Sequence, residues 1–258
     1  MSESDSRESQ RYATIVIVGG GCYGSYYVRQ LDRAVRAGAL SAEQLVVVDQ
    51  NRECAVAPTL DTLAVSAELR VQDWRAFFDE YLSAAANAPD EHARDAIVPS
   101  PLMPHLMGEW LVERARRRFG EAVSTPSLEH VPDVPWERAG TDGTHYVSFA
   151  TWMCPINCVE PRTCPHTRDE RTWSLPVRLA EHVTKGRASG ETIEVATLFC
   201  RHRAYGVGMF DTAEVIDADA RISAAGEKGN ADIIIGTVSH CHGALTRLVI
   251  GPIHSRAR

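Results

Sequence analysis

Three thiols and one imidazole fall within thirteen positions in the run Trp152-Met153-Cys154-Pro155-Ile156-Asn157-Cys158-Val159-Glu160-Pro161-Arg162-Thr163-Cys164-Pro165-His166-Thr167. Cys154, Cys158, Cys164 and His166 form a Cys3His set that suits tetrahedral zinc; three cysteines with Cys-Pro steps suit an iron-sulfur cluster equally. The prolines exclude an extended helix, so the segment reads as a stiff turning loop able to fold sequence-near ligands onto one ion. The spacing is neither that of a common zinc ribbon nor that of the ferredoxin run, which leaves a dithiol redox pair and buried structural thiols as competing readings. Two more Cys/His groups follow. Period-two alternation places Cys200 and His202 on one strand face, and puts His240 and His242 on the side opposite Cys241 if that strand stays extended. Either group could complete a metal shell, and His202, His240 and His242 are the candidate proton donors near neutral pH.

A second constellation opens the chain. Ile15-Val16-Ile17-Val18 is an apolar strand that empties into Gly19-Gly20-Gly21-Cys22-Tyr23-Gly24, and a further apolar strand ends in Val48-Asp49. Gly19 permits a tight turn, Gly21 lets backbone approach a pyrophosphate, and Gly24 lets the next helix pack on the sheet. Phosphates would rest on that helix N-terminus, where free N–H groups and the dipole favour negative charge. Cys22 reads as the small uncharged residue that such an approach needs, and Tyr23, Tyr26 and Tyr27 as packing residues.

These residues resemble the NAD(P)-binding Rossmann superfamily, clearly from Thr14 to Asn51 and more weakly to Phe119. The resemblance implies a dinucleotide site of Gly19, Gly20, Gly21, Cys22, Tyr23, Gly24, Asp49, Gln50 and Asp73, with Asp49 accepting from a ribose diol. Asp49 lies about 25 residues beyond Gly24, against a usual spacing of about 20. A carboxylate there favours NAD, because it would repel a 2′-phosphate, while Arg52 keeps NADP open.

The elements that must position these groups alternate α and β in the first half. Leu69-Arg70-Val71 reads as a third strand, Asp73 as the N-cap of a helix through Leu82, Ala96-Ile97-Val98 as a fourth strand and His105 to Phe119 as a helix. Arg36 to Leu40 reads as a helix end and Ser41-Ala42-Glu43 as a short turn. Ser100 and His105, after the fourth strand, are candidates for contact with substrate or the nicotinamide ring. The organisation read from this pattern is a disordered lead over 1–12, a dinucleotide-binding domain over 13–122, a proline- and glycine-rich linker over 123–144, and a strand-rich Cys/His region over 145–258. In that last part, strands are expected over His145–Thr151, Glu194–Arg203, Val207–Asp217, Asp232–Ser239 and Ala244–Ile250, with Leu175–Lys185 alone helical. The fold class is α/β: a Rossmann-like doubly wound parallel sheet followed by a smaller strand-rich α+β region.

Composition narrows the function classes. A chain of 258 residues can bury a substantial core, and its formal charge of −7 gives no reason to expect nucleic acid. The basic run Arg114 to Arg118 closes a helix, where cations complement the dipole. Met1 to Arg11 lacks an apolar signal region and no segment approaches a membrane span, so the expected location is cytoplasmic. Seven cysteines in a reducing compartment argue against a disulfide framework. The combined expectation is an NAD(P)-dependent oxidoreductase with a Cys/His zinc or iron-sulfur site, acting on a small-molecule substrate or redox partner, with a homodimer left open. The alternative is a non-catalytic sensor of NAD(H), redox state or metal. FAD uses the same loop, though the chain is short for a flavoprotein, and Val16-Ile17-Val18 offers no acid before the glycines for S-adenosylmethionine.

Overall fold

The computed structural model describes residues 10–188 and 193–252, so most of the expected N-terminal lead lies outside the described residues. In chain order the elements are β1 (Gln10–Val18), α1 (Cys22–Arg36), β2 (Leu40–Asp49), β3 (Ser66–Val71), α2 (Trp74–Asn87), β4 (Ala96–Val98) and α3 (Leu106–Phe119). Then follow β5 (Val123–Ser124), β6 (Trp136–Ala139), β7 (His145–Ser148), α4 (Leu175–Ala188), β8 (Ile193–Phe199) and β9 (Arg201–His202). The chain ends with β10 (Gly208–Asp211), α5 (Thr212–Glu227), β11 (Ala231–Val238) and β12 (His242–Ile250).

The chain is an α/β protein built on two mixed sheets. In the first, the order is β3-β2-β1-β4-β10-β9, with the first four strands parallel and β10 antiparallel to β4. The sheet is therefore mixed rather than wholly parallel. The β9–β10 pair is antiparallel as well, for a local reason: the two are joined by a tight turn at Ala204–Gly206, with Tyr205 and Gly206 at positive φ, and so short a connection can only pair strands antiparallel. The second sheet runs β6-β7-β12-β11-β8, with β8 parallel to β11 and β5 added beside β12.

Strand alternation distributes the core. Ile15 and Ile17 face α1, joining Val28 and Leu31, while Val16 and Val18 face a layer of α2, α3 and α5. That helical layer packs on its far side against Ile233, Ile235, Leu248 and Ile250 of the second sheet, whose outer face is covered by Leu175, Leu179 and Val183 of α4. Burial of β1 on both faces is why it reads as a continuous apolar run.

Two expectations are corrected. Ser41 to Glu43 is not a turn: α1 ends in a Schellman arrangement at Gly38 (φ +68°), with Ala39 N–H bonded to Ala34 O, and the strand restarts at once because Leu40 to Ala42 pair with Gln10 to Tyr12. The extra residues before Asp49 therefore lengthen β2. Val207–Asp217 is a strand only to Asp211, and α5 begins at Thr212. Val215, Ala218 and Ile222 recur at helical spacing and are buried, which outweighs the β-branched pair Val215-Ile216. The basic end of α3 also has specific work: Arg118 grips buried Asp219 of α5 with both nitrogens at 2.7 Å, and Arg114 joins at 3.1 Å. Among the described residues, no helix is long and apolar enough to cross a membrane.

Candidate functional site

The glycine loop is the turn from β1 into α1, and each glycine is held differently. Gly19 sits at φ +87° under the Trp74 ring, and the Trp74 indole N–H donates to Val48 O at 2.9 Å. Gly20 donates its N–H to Asp49 Oδ2 at 2.7 Å, and a Cβ there would lie 2.4 Å from Cys54 Sγ. At Gly24 a Cβ would lie 1.8 Å from Gly19 O, so only glycine lets α1 start this close to the loop. Gly21 differs from all three. A Cβ there meets nothing within 4 Å, although Gly21 is the N-cap of α1, carries no side-chain cap and is followed by no acid in the first turn. The loop thus presents bare backbone and uncapped N–H groups to open space.

The acids behind the loop are partly engaged. Asp49 holds the Gly20 N–H with one oxygen and the Asn51 N–H, at 2.8 Å, with the other. Asp73 accepts from Ala76 N–H at 3.1 Å as the N-cap of α2, and its second oxygen takes the Gln50 amide at 2.6 Å. Gln50 and Asp73 therefore form one hydrogen-bonded pair beside the loop. Cys22 is exposed.

A cavity of about 540 Å3 lies between the two sheets' loops. Tyr23 and Tyr27 of α1 and Ser100, after β4, line one side; Cys154 and Cys158 line another; Cys200, His202, Cys241 and His242 contribute from the second half. Residues expected to act from distant parts of the sequence thus share one space. His105 does not face it. That ring is 3 % exposed, bonds Thr237 Oγ1 through Nδ1 at 3.1 Å and leaves Nε2 buried without a partner among the described residues. Burial brings its pKa down to about 4.

Glu160 is the hub of the cavity, and it escaped the sequence reading. It sits at φ +46°, is 9 % exposed, and accepts from Ser239 Oγ (2.6 Å), His240 N–H (2.9 Å) and Cys241 N–H (3.0 Å). His202 Nδ1 lies 3.6 Å from its second oxygen. Burial would raise the Glu160 carboxyl, but His202, Ser239 and the turn N–H groups outweigh it and bring the pKa to about 2. The available signal was a lone carboxylate set between Cys158 and Pro161 in a run otherwise short of charge.

Cys200 and His202 do share a face: both Sγ and Nε2 approach the bare Cα of Gly208, where a Cβ would lie 2.9 and 3.5 Å from them. Burial pushes the Cys200 and Cys241 thiols up to about 12. The pairing of His240 with His242 is corrected. Residues 239–242 form the hairpin turn between β11 and β12, closed by Ser239 N–H to His242 O at 2.8 Å, so strand alternation stops there. His240 turns away to Ser174 Oγ (2.9 Å) and the edge of Phe199. His242 bonds Ser148 Oγ through Nδ1 at 2.9 Å, and because that hydroxyl already donates to Ala150 O, His242 must be the donor. Its Nε2 is left as an acceptor, and burial, foremost, lowers its pKa below the usual imidazole range.

The expected metal ligands sit in unlike surroundings, although Cys158 and Cys164 both lie near enough to Cys154 to act on its thiol. Burial and the nearby Cys158 raise the Cys154 thiol. Cys164 is the opposite case: the backbone at Thr167 and His166 lowers its pKa. His166 is stacked on Trp152 at 4.5 Å, and Cys241 Sγ accepts from Trp173 Nε1 at 3.3 Å. Among the described residues, no three His, Cys, Asp or Glu side chains meet as a group able to hold a metal ion.

The chain belongs to the family AF_1314_C, described as an uncharacterized protein's C-terminal domain, whose model matches residues 107–251. That span holds the cysteine loop, Glu160, His202 and the 239–242 turn, and begins beyond the glycine loop. No curated protein and no solved structure matches the chain.

Proposed function

We propose that this protein is an NAD(P)-dependent oxidoreductase whose dinucleotide lies across the glycine loop and reaches toward the cavity. The observation that carries the reading is Gly21: the helix N-terminus behind it is uncapped, and the space before it is open. The strand order β3-β2-β1-β4, with the loop at the end of central β1, supports a Rossmann-like interpretation of the first sheet. A nicotinamide, when bound, supplies hydride chemistry. In this reading His242 accepts a substrate proton at Nε2 while Ser148 holds its ring, and His202 backed by Glu160 serves the same oxygen from the other side. The protein acts in the cytoplasm.

The test is titration with NADH and NADPH, followed by fluorescence, on the parent protein and on Gly21→Asp. The parent is expected to bind one of the two, with NADH preferred, and the variant to lose at least about a hundredfold in affinity by placing a carboxylate where phosphate sits. Absence of dinucleotide binding in the parent, or unchanged binding in the variant, overturns the reading.

A second reading, zinc or an iron-sulfur cluster on Cys154, Cys158 and Cys164, is favoured by one observation. The backbone of Thr167, then that of His166, holds the Cys164 thiol below its ordinary pKa, the direction a thiolate ligand requires. Anaerobic purification with elemental analysis and absorption spectroscopy decides it: stoichiometric zinc, or iron with labile sulfide, is expected, and a colourless metal-free protein that melts unchanged after chelation overturns it.

A further inference from the structure

The cavity walls restrict what can enter. No lysine or arginine is among the described residues that line it, and its carboxylate, Glu160, already holds three hydrogen bonds at 2.6 to 3.0 Å. The nearby guanidiniums are committed elsewhere. Arg203 is clamped on Asp211 at 2.6 and 2.8 Å, and Arg171 bonds the carbonyls of Pro161 and Trp173. The uncapped N-terminus of α1 opens at Gly21, which is not part of this lining, so a carboxylate or phosphate brought inside the cavity would lose water and meet no lysine or arginine.

The mouth points the same way. Met153 is 95 % exposed, and Trp136 and Ile156, both 42 % exposed, stand with it on the cavity rim. Pro99, Pro101 and Pro104 continue the apolar wall. Exposed apolar side chains gathered at a concave mouth, with the Ser148–His242 and Glu160–His202 pairs and a few uncharged hydroxyls such as Ser100 and Thr237 as the polar lining, form the pattern of a site for an apolar body bearing one oxygen function.

We propose that the cavity takes an uncharged, largely apolar alcohol or carbonyl compound with a planar body, and rejects carboxylates and phosphate esters. The inference rests on the oxidoreductase reading only in calling that compound a substrate. The aromatic face of Trp152 and the rim ring of Trp136 receive the planar body, and the imidazoles receive the oxygen.

The test uses the full chain and binding rather than turnover. Acetophenone and its anionic isostere 4-acetylbenzoate are titrated by quenching of tryptophan fluorescence, with a Trp136→Phe/Trp152→Phe double variant as the control for location. Acetophenone is expected to bind at least about tenfold more tightly, since the anion enters unpaired, and the double variant is expected to lose most of the quenching. Ile156→Arg, at an exposed rim position, places a cation at the mouth and is expected to restore 4-acetylbenzoate binding. Equal or tighter binding of the anion to the parent, no quenching by acetophenone, or quenching that survives in the double variant overturns the proposal. Loss of NADH and NADPH binding overturns the oxidoreductase reading but leaves this preference standing, so the two failures are distinguishable.

Discussion

At the residue scale, the glycines divide into those that hold the loop and the one that opens it. Gly20 and Gly24 are glycine because a methyl group would strike Cys54 or the Gly19 carbonyl, so changes there test packing. Gly21 is at φ −75°, a value any residue adopts, and has room for a side chain. Aspartate at that position is also a preferred N-cap. Gly21→Asp should therefore keep or slightly raise the melting temperature, gaining roughly a few tenths of a kcal/mol from capping α1, while on the proposed reading dinucleotide binding is lost. Binding loss without unfolding separates a ligand role from a structural one, and thermal melts beside the NADH titration make the comparison.

At the scale of elements, the loop bearing Cys154 to Cys164 is fastened to the β11–β12 hairpin by Glu160, whose left-handed backbone is held by what its carboxylate reaches. Both oxygens face donors: the Ser239 hydroxyl and the backbone N–H groups of His240 and Cys241. Glu160→Gln turns one oxygen into a donor aimed at donors. The expected loss is about 2–4 kcal/mol in denaturant unfolding, with Glu160→Asp, too short to span the same partners, intermediate or equal. A change below about 0.5 kcal/mol would show that the hairpin does not depend on this tie. The same element explains why two histidines, adjacent but for one residue, part company. A hairpin turn sends His240 to Ser174, just before α4, and His242 to the cavity, whereas an extended strand would have kept them together.

At the scale of the whole molecule, the helical layer is locked between the sheets, and His105 sits in that lock between the start of α3 and Thr237 of β11. Its folded pKa of about 4 lies below the ordinary 6.5 because burial disfavours the imidazolium. The unfolded chain therefore binds the extra proton first as pH falls. Stability from this group is complete above pH 6.5 and is lost progressively between 6.5 and about 4. The loss amounts to about 3 kcal/mol at the lower end. Urea unfolding across that window should show the slope in the parent protein and a flatter profile in His105→Asn; identical slopes would mean another group dominates acid sensitivity.

Much of this architecture is legible in the chain itself. Local geometry writes itself into local sequence: the glycine loop, the apolar run of β1, the Asp73 cap and the shared face of Cys200 and His202 all depend on neighbours a few residues away. What the tertiary structure alone decided is the company these groups keep. β10 returns from the second half to pair with β4, and the 239–242 turn closes over Glu160, about eighty residues earlier. Such pairings arise from packing between surfaces distant in sequence, and no periodicity records them. They set the glycine loop's first tyrosine, the thiols, the imidazoles and a buried glutamate around one cavity, because the two sheets share a single helical layer and their loops open on the same side.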